Sequence, residues 1–254
     1  MFCSNCGKAV QDGTLFCPNC GAGIGFDEKG VAQAATKAAE KQYDPAYEAE
    51  KGELSGLMYN FVIGIIVLWG IAVDVVICYQ FSSSVPVFNW TTVLIYFALT
   101  IAGFAIVRLS KNPVLSFVGF NILAAGMGTL LSSVVGLYEP SIVFETFMIT
   151  GIVTALMILL GILWPKFFLS LGRMLGISLL GVIIVEAVMI LFTGTFPGWI
   201  SFVSALIFCG FIGYDWNRAQ QSKHTLKNAV NHATELYVDV INLFLDILRI
   251  VGDR

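Results

Sequence analysis

Seven long apolar stretches dominate the chain after residue 56. They fall at about 57–80, 90–107, 114–137, 143–163, 171–192, 199–216 and 232–251. Each is close to the ~20 residues that a helix needs to cross a bilayer. Backbone N–H and C=O groups cannot go unpaired in lipid, so runs of this length read as helices. The connections are short, as antiparallel neighbours in a bundle require. Pro86, Pro113, Pro140, Pro165 and Pro197 are expected between helices, where a missing N–H costs little. Composition agrees, because 57% of residues are hydrophobic and 12% are charged, against about a quarter charged in an ordinary soluble domain. The chain therefore reads as an all-α integral membrane protein. No basic start leads into a short apolar core and a small-residue cleavage site, so no cleavable signal peptide is expected.

The seventh stretch differs from the other six. Its polar residues are His232, Glu235, Asp239, Asn242, Asp246, Arg249 and Asp253, in steps that alternate three and four. That spacing puts them on one stripe of a helix. Leu236, Val240, Ile241, Leu243, Phe244, Ile247, Leu248 and Ile250 occupy the other faces. Such a helix either lies flat on a membrane or stands inside a bundle with its stripe turned from lipid. Six further helices are available to surround it. The expected architecture is a seven-transmembrane-helix bundle with helix seven central.

The N-terminus carries Cys3-Ser4-Asn5-Cys6-Gly7 and, with ten residues between Cys6 and Cys17, Cys17-Pro18-Asn19-Cys20-Gly21. Paired Cys-x-x-Cys knuckles, each followed by Gly, are a strong signal for a structural zinc site. Four thiolates from Cys3, Cys6, Cys17 and Cys20 close a tetrahedron with no open position for chemistry. Two disulfides are the competing reading, and they need an oxidising compartment. Three units are expected: a zinc ribbon at 1–22, a polar linker at 23–56 that is helical around 31–41, and a membrane domain at 57–254. A ribbon this small folds only with metal, and its usual role is contact with a protein partner. No nucleic-acid partner is expected.

Basic residues set the orientation. Arg108, Lys111, Lys166, Arg173, Arg218, Lys223 and Lys227 follow helices two, four and six, whereas the loops after helices one, three and five carry no Lys or Arg. The positive-inside rule then places the ribbon and the even-numbered loops in the cytoplasm, with the C-terminus outside if helix seven crosses. Arg249 and Arg254 run against that last assignment. Cys78 and Cys209 read as packing residues.

Asp74, Glu186, Asp215, Glu235, Asp239 and Asp246 lie within expected spans, and Glu145 lies near the outer end of one. Carboxylates are costly in lipid and should face the bundle interior or water. The topology sorts them by depth. Arg108, Asp215 and Asp239 share a layer toward the cytoplasm. Asp74, Glu145, Glu186 and Asp246 fall in the outer half, with Arg249, and form a candidate cation vestibule.

Two stretches resemble the transmembrane Bax inhibitor motif family. Leu236-Tyr237-x-Asp239-x-Ile241-Asn242-Leu243-Phe244, followed by Leu248-Arg249, is similar to that family's last-helix signature. Tyr214-Asp215 resembles its Tyr-Asp motif. Arg108 stands where bacterial members carry a basic residue ahead of a Gly matching Gly126, and Glu145 and Thr150 fit the fourth helix's pattern. The resemblance covers about residues 57–252 and leaves out the ribbon. The chain departs from the pattern at Trp216, Val238 and Asp246. The resemblance implies a pH-sensitive calcium leak of the bacterial cytoplasmic membrane, governed by Asp215 and Asp239. The residues agree with it: carboxylate oxygens suit a hard cation such as calcium, and two carboxyls held close share a proton. Arg108 is expected to pair with Asp215 and hold the cytoplasmic end shut.

Two other functions compete. A non-conducting regulator would bind a membrane protease or another membrane partner, a role that suits the ribbon. An intramembrane aspartyl protease also uses two aspartates on adjacent helices. Such enzymes resemble one another in a Gly-x-Gly-Asp and a Pro-Ala-Leu motif, and neither stands here. The chain is therefore read as a non-enzyme.

Overall fold

In a computed structural model, residues 2–11, 16–22, 53–81, 90–193 and 198–252 are described. The chain divides into two compact units, Met1–Gly52 and Glu53–Arg254. The expected helix around 31–41, Pro86, Pro197, Asp253 and Arg254 lie outside the described residues.

The second unit contains seven helices among the described residues: α1 Gly56–Phe81, α2 Trp90–Leu109, α3 Pro113–Val135, α4 Pro140–Leu163, α5 Pro165–Thr193, α6 Gly198–Gln221 and α7 Leu226–Gly252. Five of them, α1, α3, α4, α5 and α6, are long and apolar enough to cross a membrane. Their outward faces carry Leu68, Trp69, Phe144, Ile152, Ile177 and Ile184, all more than half exposed. An apolar surface of that extent needs a solvent other than water.

Several helices begin earlier than the apolar pattern predicts. Pro113, Pro140 and Pro165 are the first residues of α3, α4 and α5, not parts of connecting loops. Proline is at home there, because its missing N–H would have no intrahelical partner. Asn112 caps α3 by accepting the Val114 N–H at 2.8 Å. Thr225 caps α7, its hydroxyl accepting the Asn228 N–H at 3.2 Å. α7 thus starts at Leu226, and the polar Lys227, Asn228 and Asn231 belong to its first turns.

α7 packs against α1, α2, α3, α4 and α6. Tyr237, Leu243 and Leu248 are fully enclosed and join Tyr59 and Ile63 of α1, Phe120 and Leu123 of α3, and Ile212 of α6. α2 and α3 approach closely enough that a Cβ on Gly103 would sit 2.5 Å from the Leu123 nitrogen and 2.7 Å from the Gly119 carbonyl oxygen. Only glycine allows that backbone contact. Asn217 ties α6 to α4, its Nδ2 donating to the Gly161 carbonyl at 3.0 Å.

Candidate functional site

The polar stripe of α7 faces a cavity of about 440 Å³. Glu235, Asp239, Asn242, Asp246 and Arg249 line it from α7, Arg108 from α2, Glu186 from α5, and Asp215 and Arg218 from α6. Successive members of the stripe lie about one turn apart, so the cavity is floored by a ladder of polar groups. The opposite face of α7 carries Leu236 and Ile241 into the core.

Toward the N-terminal end of the ladder, the Asp215 and Asp239 side chains meet on the cavity wall. Ionised carboxylates have no donor, so a hydrogen bond between the two would take a proton on one of them. Asp239 Oδ2 is buried and takes no hydrogen bond from an N–H or hydroxyl donor among the described residues.

Arg108 does not take Asp215. Its guanidinium pairs with Glu235 and lies 5.2 Å over the Phe104 ring. Arg218 reaches the same Glu235 oxygen at 3.2 Å and stands 3.6 Å from Asp215. His232 Nδ1 donates to the other Glu235 oxygen at 2.8 Å. Glu235 is 7% exposed and gathers three basic side chains from three helices. Sequence reasoning placed it inside a span and gave it no role. The signal was available: Glu235 and His232 stand on the stripe with Asp239, and Arg218 follows Asp215 by three residues, one turn of helix.

The acids expected to form the vestibule separate. Glu186 and Asp246 line the cavity, with Arg249 Nη1 at 3.8 Å from each. Ser204 lines the cavity beside Asp246. Asp74 lies elsewhere, 1% exposed, with the Tyr237 hydroxyl 2.9 and 2.8 Å from its two oxygens. Tyr237 follows Leu236, so it points away from the stripe, and Asp74 belongs to the packed α1–α3–α7 interface. Glu145 is exposed on the outside of α4. Thr150 is buried one turn away, donating to the Thr146 carbonyl at 2.8 Å. A second hollow, of about 570 Å³, lies between α5 and α6 around Arg173 and Tyr214, and no acid lines it.

The first unit holds the four cysteines. Their Sγ atoms lie within 4.8 Å of one another, with Cys3–Cys20 at 3.7 Å and Cys6–Cys17 at 3.6 Å. All four are free thiols. Disulfide sulfurs sit at about 2.05 Å. A tetrahedron of ~2.3 Å zinc–sulfur bonds has edges of about 3.8 Å, so the separations fit a structural metal such as zinc. The two knuckles repeat one design. Gly7 and Gly21 take φ of 70° and 73°, a conformation that glycine adopts without strain. Their N–H groups donate to Cys3 O and Cys17 O at 2.8 Å each. Asn5 and Asn19, each just before the second cysteine of its knuckle, donate across to Cys20 and Cys6 at 3.8 Å. The Ala22 N–H directed at Cys20 pulls that thiol down to about 6, which favours the thiolate that a metal takes.

Residues 56–254 match the family model described as "Inhibitor of apoptosis-promoting Bax1". The chain belongs to the Bax inhibitor family. Residues 2–24 match a zinc-ribbon domain. Over 145 residues it is 27% identical to "Inner membrane protein YbhL" of Escherichia coli (strain K12), covering 53% of this chain and 62% of that protein. An uncharacterized membrane protein of Streptococcus pyogenes serotype M3 is 31% identical over 150 residues, 56% of this chain and 65% of the relative. An uncharacterized protein of Borreliella burgdorferi is 31% identical over 172 residues, 64% and 73% respectively. The chain spans less than two thirds of the length of the first two. These relatives and the apolar helices make this member of the Bax inhibitor family a bacterial multi-pass membrane protein.

Proposed function

We propose that this Bax inhibitor family member is a pH-sensitive calcium leak of the bacterial cytoplasmic membrane. In this reading all seven helices cross, α7 runs through the middle of the bundle, and the ribbon, carrying structural zinc, lies in the cytoplasm. The contact between Asp215 and Asp239 on the wall of one cavity carries the reading. A pair that holds one proton changes charge when that proton enters or leaves, and the change falls where a cation would pass. Arg108 acts on the pair through Glu235: two arginines fixed on one carboxylate join α2, α6 and α7 beside the aspartates. The vestibule narrows to Glu186 and Asp246, the outer acids that line the cavity.

Calcium entry into liposomes containing only this protein, measured from pH 6 to pH 8, tests the reading. Wild type should conduct with a pH-dependent rate, and Asp215→Asn and Asp239→Asn should each flatten the profile. Unchanged profiles in both variants remove the pair as the sensor. The absence of flux at every pH favours the regulator, for which the ribbon, part of the separate Met1–Gly52 unit, is the docking element.

A further inference from the structure

We propose that Asn242, Asp246 and Glu186 form a divalent-cation site distinct from the Asp215–Asp239 pair, with Arg249 as a tethered counter-ion that the cation displaces. Four observations carry this. First, all four residues line the cavity. Asn242 and Asp246 are one turn apart on α7, a spacing of about 5–6 Å between Cβ atoms that lets both side chains reach one ion.

Second, the oxygens are available. The Asn242 Nδ2 donates to the Val238 carbonyl at 2.8 Å, which turns its Oδ1 outward as an acceptor. Asp246 is 4% exposed, yet its Oδ2 is buried without a hydrogen-bond partner. A buried carboxylate oxygen in that state is costly unless something positive meets it.

Third, Arg249 stands between the two acids. Its Nη1 stands 3.8 Å from Asp246 Oδ1 and 3.8 Å from Glu186 Oε1, beyond hydrogen-bond length for both. A divalent cation between the two carboxylates would balance their charge in place of the guanidinium.

Fourth, every donor is oxygen: two carboxylates, an amide carbonyl and the hydroxyl of Ser204. That set selects a hard divalent ion such as calcium, magnesium or manganese over zinc or copper. Asp246 is seven residues beyond Asp239, about 10 Å along the helix, so one ion cannot be held by both. The site's place on a conduction path rests on the leak reading, whereas binding itself does not.

The test uses the zinc-loaded full chain in lipid nanodiscs, with manganese(II) as the probe and free manganese counted by electron paramagnetic resonance. Wild type should bind manganese. Asp246→Asn and Glu186→Gln should each weaken that binding at least about tenfold, and Asp215→Asn should leave it within about twofold. Arg249→Gln should tighten it about tenfold, or ~1.4 kcal/mol. Glu186 is partly exposed, so its variant keeps the test decisive if Asp246→Asn fails to fold. No manganese binding by wild type, wild-type affinity in Glu186→Gln, or weaker binding in Arg249→Gln overturns the site. Manganese binding without calcium flux removes the leak and keeps the site. A pH-dependent flux with binding indifferent to Asp246 and Glu186 does the reverse.

Discussion

The partner of Arg108 can be decided by a double-mutant cycle. Arg108 and Glu235 are 38% and 7% exposed, so one end of the pair sees solvent and the other does not. Two unit charges about 4 Å apart interact by ~4 kcal/mol at an effective dielectric of 20. The exposure of Arg108 reduces this, and Arg218 still pairs with Glu235, and His232 still hydrogen-bonds it, when Arg108 is lost. A coupling of about 2 kcal/mol between Arg108→Gln and Glu235→Gln is expected, in the range for hydrogen bonds to charged groups. The same cycle with Asp215→Asn should give about 1 kcal/mol or less, because Asp215 meets Arg108 only through Glu235 and Arg218. Equilibrium unfolding in mixed detergent micelles, followed by tryptophan fluorescence, supplies the four free energies of each cycle. Strong coupling to Asp215 with additivity at Glu235 would refute the arrangement. It would restore the pairing that the sequence suggests.

Two further outcomes are expected. Purified protein should carry one zinc, lost in Cys20→Ser. Protons compete with zinc for the four thiolates, so metal should be released on acidification; elemental analysis after dialysis at pH 7 and pH 4 checks this, and equal zinc at both values counts against it. Tyr237→Phe should destabilise the membrane domain by about 1–3 kcal/mol, because Asp74 loses its hydroxyl donor inside the core. Asp74→Leu combined with Tyr237→Phe should recover part of that loss, and a double variant no better than the single places the cost elsewhere.

Helix number, helix type and the ribbon's four cysteines were legible in the sequence, because each depends on local spacing. Apolar runs of membrane length and Cys-x-x-Cys knuckles carry their own geometry. The Asp239 stripe was legible for the same reason, since a helix converts steps of three and four into one face. Helix starts were less so, because Pro113, Pro140, Pro165 and Thr225 look like loop residues until their capping roles are seen.

Loop charge and helix order group Asp74, Glu145, Glu186 and Asp246 in one half of the bundle, and that grouping was not sufficient. Rotation of each helix about its axis separates them: Glu186 and Asp246 turn to the cavity, Asp74 turns to Tyr237, and Glu145 turns outward. That rotation is fixed by contacts such as Gly103 on Gly119, which no local pattern encodes. The choice of Glu235 over Asp215 by Arg108 has the same origin. Both acids share a layer with the arginine, and the packing of α2 against α7 decides which carboxylate its guanidinium meets.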